Sequence, residues 1–275
     1  MERMMVDVCF FADEVSKDFD QAVKLGVDAG ANTVEIRGGL WGDSVTTIDD
    51  DGVKRMQDVL AKYNARVTCI GSPFGKCHID SLEEYETHRR YFDRMIELAH
   101  AFETHIIRGF MFWKPDRKTD KSRPDLSKYI DQIVEKMSPI IPIAESAAVT
   151  LSIENEGSTL LGTCQEVKTA IDALGNSPAL TVCWDVMNGL HSGENPYPNG
   201  YNHIKGLVTH FHIKPNTDKK MNPIGTTNII YQDLLTSIIA DGFSGSASIE
   251  HWGTPELMLQ GIRELRQTID QMQIN

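Results

Sequence analysis

The sequence has 275 residues, of which 41% are hydrophobic and 24% charged, a composition typical of a folded globular protein and not of a disordered chain. The formal net charge of -12 disfavours broad electrostatic binding to nucleic acid or to an anionic membrane surface. No apolar run approaches the roughly 20 residues that span a bilayer, and no signal-peptide pattern is present, so we expect a cytoplasmic protein.

Short β-rich segments alternate with longer amphipathic segments along the chain. MVDVCF, TVEIR, RVTCI and HIIRGF are each followed by a helical pattern, and the fourth helix is predicted to run from Leu126 to about Ala148. VTLSIE, LTVCWD, VTHFHIK and SASIE begin the remaining units, and PELMLQGIRELRQTI is the closing helix. The pattern therefore predicts eight units, each a β-strand followed by an α-helix.

This repeat predicts an α/β fold in which residues 1–275 form a single (β/α)8 TIM barrel, with one catalytic domain. Strands that alternate with helices run parallel, and eight units in about 250 residues is the size at which the sheet closes. An open doubly wound sheet is the alternative, but no G-x-G-x-x-G turn follows the first strand.

Ionisable residues end the last four predicted strands, at the face where TIM barrels carry their active sites. Glu154, Asp185 and Glu250 each close a strand, while the seventh strand presents His210 and His212 on one inward face. His212 is nearer the carboxyl end and is the better ligand candidate. Taken singly, each carboxylate could cap a helix or pair with a lysine. Together, however, three converging carboxylates and an imidazole predict a divalent metal site, with Mn²⁺ favoured and Mg²⁺, Co²⁺ or Zn²⁺ as alternatives.

Further polar and aromatic side chains are predicted at the same mouth. Lys214 lies just past the seventh strand and could hold an anionic or hydroxyl-rich substrate, or be an ordinary surface lysine. Aromatic rings on βα loops could stack on a sugar or shield it from water, or simply pack within their loops. Strand-end arginines could instead form salt bridges between strands. The candidates are Glu35, Arg37, Trp41, Arg108, Trp113, Glu156 and His191.

Several motifs in combination resemble one enzyme superfamily over nearly the whole chain. They are RVTCIGSPFGKCHID, HIIRGFMFW, LSIENEGSTLLGT, WDVMNGLHSGENPYPNGY, VTHFHIKPN and GFSGSASIEHW. Together they resemble the xylose-isomerase-like sugar phosphate isomerase/epimerase superfamily, which includes ketose 3-epimerases, inosose dehydratases and hydroxypyruvate isomerases. The resemblance implies that Glu154, Asp185, His212 and Glu250 match the metal-binding set, and that Lys76 lies in a loop bordering the substrate.

Two positions depart from the pattern of many epimerases in this group. Asn188, a predicted substrate contact, stands three residues after the metal aspartate, where those enzymes carry a histidine that contacts substrate. Pro215 follows Lys214, where an aspartate is frequent. Neither change touches the four predicted ligands, but both weaken the transfer of an exact substrate.

The predicted function is a divalent-metal-dependent isomerase or epimerase of a small sugar or keto-polyol. Glu154 and Glu250 are the predicted proton-transfer pair, acting through a metal-bound enediolate. A metal-dependent lyase or dehydratase of a keto-polyol would use the same residues, whereas a non-catalytic sugar-binding barrel would leave both glutamates unexplained. We expect a small carbohydrate substrate and no nucleic-acid or membrane partner; a homo-oligomer is compatible with the sequence.

Overall fold

The computed structural model describes residues 6–217, 220–221, 224, 229–251 and 253–274. Parallel strands form the wall of a barrel, and each is four to six residues long. In chain order, β1 to β8 are Asp7–Phe10, Thr33–Ile36, Arg66–Gly71, Ile106–Gly109, Thr150–Glu154, Leu180–Asp185, Val208–Ile213 and Ser246–Ile249. A separate antiparallel hairpin pairs Asn216–Thr217 with Lys220–Met221.

The barrel is nearly closed. Hydrogen bonds join the eight strands in the order β1-β8-β7-β6-β5-β4-β3-β2. The remaining gap lies between β1 and β2, where a single parallel bridge links Phe11 to Glu35. The predicted (β/α)8 TIM barrel is confirmed, and β5 to β8, which carry the predicted ligands, are consecutive neighbours in the wall.

Helices cover the outside of this wall. The long ones bury one apolar face against the strands, as in α4, where Tyr85, Phe92 and Met95 are buried. No helix among the described residues is both long and apolar enough to cross a membrane. The helices α1 to α11 are Ala12–Val15, Phe19–Asp28, Asp50–Tyr63, Leu82–Ala101, Ile130–Met137, Ile140–Ser146, Cys164–Ala173, Val186–His191, Tyr201–Ile204, Tyr231–Ala240 and Pro255–Ile274.

The helix predicted from Leu126 to about Ala148 is interrupted. A short 3-10 turn precedes α5, and α5 ends at Met137, three residues before α6 begins. Pro139 lies in this junction, where it cannot donate a backbone hydrogen bond and its ring crowds the preceding turn. The prediction of one continuous helix was therefore wrong at Pro139.

Alternation along β7 separates packing residues from site residues. Phe211 faces the helix layer, with its ring 5.4 Å from that of Trp184 and 6.3 Å from that of Tyr231. His210 and His212 point the other way, into the barrel, and both are fully buried. This period of two places imidazoles inside the barrel and apolar rings outside it, as the sequence predicts.

Candidate active site

The four predicted metal ligands converge at the carboxyl end of the barrel. Glu154 ends β5, Asp185 ends β6, His212 lies in β7 and Glu250 directly follows β8. One candidate ligand atom from each lies within 4.8 Å of those of the other three, and all four residues are buried. Neighbouring parallel strands thus deliver one donor each to a single point.

His212 presents Nδ1 to the carboxylates of this cluster. Nδ1 lies 3.2 Å from Oε2 of Glu250 and 3.7 Å from Oε1 of Glu154. The other ring nitrogen, Nε2, lies 3.1 Å from Oε2 of Glu35. Glu35, which the sequence suggested for the mouth, is instead fully buried between the two histidines.

Asp185 is held at both its backbone and its side chain. The amide of Asn155 forms paired hydrogen bonds with the backbone of Asp185, donating to its carbonyl and accepting from its N–H, both at 2.8 Å. Oδ1 of Asp185 accepts from the backbone N–H of Asn188 at 2.8 Å and caps α8. Sequence reasoning did not identify Asn155, because its contact with β6 depends on tertiary placement.

Each of the three carboxylates of the cluster also contacts a cationic side chain. Arg108 donates from Nη1 to Oε2 of Glu154 at 3.0 Å. Nζ of Lys214 lies 2.5 Å from Oδ2 of Asp185 and 3.4 Å from Oε2 of Glu250. Arg37 also reaches Glu250, at 3.3 Å. These cations make a cluster of acidic groups tolerable in a buried setting.

The environment separates the pKa values of the three carboxyl groups. Burial opposes ionisation of Glu154, but Arg108 and His212 outweigh it and lower its pKa to about 2. Burial likewise opposes ionisation of Glu250, but Lys214, His212 and Arg37 hold its pKa well below the usual range. Asp185 differs, because burial together with Glu154 and Glu250 outweighs Lys214 and raises its pKa to about 6.

The donor set fits a divalent cation. Three carboxylates and an imidazole suit Mn²⁺, Mg²⁺, Co²⁺ or Zn²⁺, and each can present an oxygen or nitrogen lone pair to one point. Burial first, and then the charges of Glu154 and Glu250, raise the pKa of Asp185, and a cation at this point would oppose both effects by favouring the ionised carboxylates. Glu154, Asp185, His212 and Glu250 are therefore the residues that would hold it.

A pocket of about 440 Å³ opens onto the cluster, a volume suited to a small ligand. Charged and hydroxyl-bearing side chains dominate its lining, with Phe110 as an apolar wall. Four of the predicted substrate contacts line this pocket: Arg37, Lys76, Asn188 and Lys214. Of the cluster, Glu154 and Glu250 are in this lining, so the pocket places hydrogen-bonding groups suited to a polyhydroxy compound beside the cluster.

Asn188 lies between two members of the cluster. Its Nδ2 donates to Oε1 of Glu154 at 3.0 Å, and its Oδ1 accepts from Nζ of Lys214 at 3.2 Å. An asparagine at this position can therefore orient both Glu154 and Lys214 while still facing the pocket.

The other three predicted substrate contacts lie elsewhere. Trp41 packs between Arg55, 3.5 Å from its ring centroid, and Phe19. Trp113 is covered by Arg117 at 3.8 Å. His191 is exposed at the end of α8. None of these three residues is among the described residues that line the pocket.

The loop after β3 brings Lys76 into the pocket through a close backbone approach. Gly75 has φ of +83°, and a Cβ there would lie 1.8 Å from the carbonyl oxygen of Phe110. Only glycine fits this conformation and this distance without a shift of the backbone. Nζ of Lys76 then lies 2.7 Å from Oε2 of Glu156 and 4.0 Å from the Phe110 ring centroid.

Hydrogen bonds from Arg123 hold the loop that carries Glu156 in place. It donates to both carboxylate oxygens of Glu166 and to the carbonyls of Gly157, Thr159 and Leu160, at 2.8 to 3.1 Å. Arg123 lies in a long connection before α5, where the sequence pattern carries no signal for its contacts.

Comparison with known proteins gives one consistent fold. A family model described as "Xylose isomerase-like TIM barrel" matches residues 23–268. No curated protein sequence matches the chain. A xylose isomerase-like TIM barrel protein from Mycobacterium smegmatis, solved in complex with magnesium, superposes with a TM-score of 0.76 and 15% identity, covering 97% of both chains.

Two further solved structures are similar over almost their full length. An L-ribulose 3-epimerase has a TM-score of 0.76 and 15% identity, covering 98% of this chain and 96% of its own. A probable 3-DHS dehydratase, AsbF, from Bacillus anthracis has a TM-score of 0.74 and 14% identity, covering 94% and 98%. At these sequence identities, the structural similarity establishes the fold and nothing more specific.

Proposed function

The chain belongs to the xylose isomerase-like TIM-barrel family, and we propose that it is a divalent-metal-dependent epimerase or isomerase of a small keto-sugar or keto-polyol. The match over residues 23–268 confirms the resemblance inferred from the sequence motifs. One observation carries the proposal: Glu154, Asp185, His212 and Glu250 converge on one point beside a pocket of sugar size.

A divalent cation held by these four residues would polarise a substrate carbonyl and so acidify the adjacent C–H. Mn²⁺ is the ion we favour, because oxygen donors dominate the set and one imidazole completes it. The similar magnesium-bound protein from Mycobacterium smegmatis is compatible with a hard divalent ion on this fold.

Glu154 and Glu250 are suited to move the proton. Glu154 ends β5 and Glu250 directly follows β8, and these two strands flank β6 and β7, so the two carboxylates approach the pocket from different sides. Although burial opposes ionisation of both, Arg108 and His212 lower the pKa of Glu154, and Lys214, His212 and Arg37 lower that of Glu250, so both are ionised near neutral pH and have a lone pair with which to accept a proton. For epimerisation, the second carboxyl group must take up a proton from solvent and deliver it to the opposite face of the same carbon, while the first keeps the abstracted proton. Delivery of a proton to the neighbouring carbon gives isomerisation instead.

The cationic and amide groups of the pocket would hold the substrate oxygens. Lys214 and Arg108 lie beside the ligand carboxylates and line the pocket, where their N–H groups can donate to a developing enediolate oxygen. Asn188 can donate to a hydroxyl, and Phe110 excludes water from one wall.

A screen in heavy water tests this function. The purified protein is first analysed for bound metal and then incubated with small ketoses and keto-polyols and Mn²⁺ in ²H₂O. We expect solvent deuterium at a carbon next to the carbonyl, together with an epimeric or isomeric product. Loss of water from the substrate would identify the dehydratase alternative. Binding of sugar with no exchange and no product would contradict the proposal.

Lys76 offers a separate test of substrate contact. Replacing Lys76 with Met should raise KM by about 10–100-fold, because a charged hydrogen bond to substrate contributes roughly 1.5–3 kcal/mol. Bound metal should not change, since Lys76 pairs with Glu156 and not with the ligand set. Lys62→Met is the matched control: this exposed lysine pairs with Asp20 on the outer helices. Identical steady-state kinetics in the two variants would contradict the assignment.

A further inference from the structure

A buried carboxylate lies directly behind the predicted histidine ligand. Glu35, at the end of β2, is fully buried, and its Oε2 lies 3.1 Å from Nε2 of His212. The same oxygen lies 2.8 Å from Nε2 of His210. The contact crosses the interior of the barrel, because β1 and β8 lie between β2 and β7 in the wall.

The contact matters because of which nitrogen faces the site. His212 turns Nδ1 toward Glu154 and Glu250, so this nitrogen must have a free lone pair to ligate a cation. The ring proton must then be on Nε2. A carboxylate only accepts hydrogen bonds, so Glu35 favours the tautomer that carries its proton on Nε2.

Packing alone gives no reason for a carboxylate at position 35. A buried charge costs free energy of desolvation, and an apolar side chain of similar volume is often at least as stable. Among the described residues, Oε1 of Glu35 has no hydrogen-bond partner, so the histidine contacts of Oε2 account for the carboxylate. His210 shares Oε2 and thereby orients the carboxylate toward His212.

We propose that Glu35 is a positioning residue that fixes the tautomer and ring orientation of His212, so that Nδ1 is presented to the divalent cation. The proposal rests on the proposed function, because it assumes a cation at the four-residue cluster. It extends the site to a second layer that reaches across the barrel, and it gives His210 a role as the partner that holds Glu35 in place.

Metal titration of two variants tests the role of Glu35. Glu35→Gln keeps the shape of the side chain but removes the charge, and calorimetric titration of metal-free protein should show about 10–100-fold weaker Mn²⁺ binding. Cys164→Ala is the matched control, because Cys164 is fully buried but lies at the start of α7, outside the barrel interior. The control should keep the wild-type Kd within about twofold.

A measurement on the wild-type chain covers the case in which Glu35→Gln does not fold. In ¹⁵N-histidine-labelled protein saturated with Mg²⁺, NMR should show His212 with one ring proton, on Nε2. A proton on Nδ1 would overturn the proposal. So would a folded Glu35→Gln variant with the wild-type Kd for Mn²⁺, and in that case the proposed function would stand. Wild-type protein that binds no divalent cation would overturn both.

Discussion

Replacing Asp185 with alanine is expected to remove bound divalent metal and to lower turnover by roughly 10³-fold or more. A catalytic metal contributes several kcal/mol to transition-state stabilisation, and about 1.4 kcal/mol corresponds to a factor of ten. Asp185 is fully buried and supplies one of the four candidate ligand atoms that lie within 4.8 Å of one another. Elemental analysis of the purified variant and a turnover assay measure the two effects.

Asp185 also caps α8, so loss of a helix cap must be separated from loss of a ligand. Removal of an N-cap side chain costs about 1 kcal/mol of folding free energy. Asp49→Ala is the matched control, because Asp49 caps α3 in the same manner through a 2.8 Å bond from Gly52, away from the pocket. Asp185→Asn should still lose metal, because its one oxygen is taken by the cap and the amide nitrogen that replaces Oδ2 cannot ligate a cation. Unchanged metal content in folded Asp185→Ala protein would refute the ligand assignment.

The sequence was sufficient to predict the cluster because of two local regularities. Strand and helix alternate with a clear rhythm, and parallel strands of a TIM barrel all end at the face that carries the site. Glu154, Asp185 and Glu250 each close a strand segment, so their convergence followed from the fold. The period of two along β7 puts both imidazoles on the inward face, and His212 was chosen over His210 because it lies nearer the carboxyl end of the strand.

Contacts that cross the barrel could not be predicted in the same way. Glu35 and His212 are 177 positions apart in sequence, and their contact depends on the width of the barrel interior. The contacts of the loop aromatics could not be predicted from the sequence either. The rings of Trp41 and Trp113 are covered by arginines whose positions depend on loop conformation. The break at Pro139, in contrast, had a local signal in the sequence, the proline itself. The prediction of one continuous helix followed the apolar periodicity instead.

The two glutamates of the cluster make different contacts, and these decide how each can be tested. Glu154 accepts from Arg108 on one oxygen and from Asn188 on the other, both at 3.0 Å. Glu250 accepts from Arg37 at 3.3 Å, and its other oxygen faces His212 and Lys214. Glutamine at either position keeps one oxygen to ligate a metal, but it has no basic carboxylate to take up a proton.

Exchange of a substrate C–H with solvent deuterium should therefore fall by about 10²-fold or more in both Glu154→Gln and Glu250→Gln, the usual contribution of general acid–base catalysis. The comparison must be made at saturating Mn²⁺, with bound metal confirmed, because either amide is a weaker ligand than the carboxylate it replaces. Glu156 supplies the decisive contrast: it lines the same pocket and pairs with Lys76, but it is outside the ligand cluster. If both metal-loaded variants exchange at the wild-type rate while Glu156→Gln loses exchange, Glu154 and Glu250 only hold the metal and Glu156 is the base. Loss in Glu154→Gln and Glu250→Gln with exchange retained in Glu156→Gln would assign the proton transfer to the two carboxylates that flank β6 and β7.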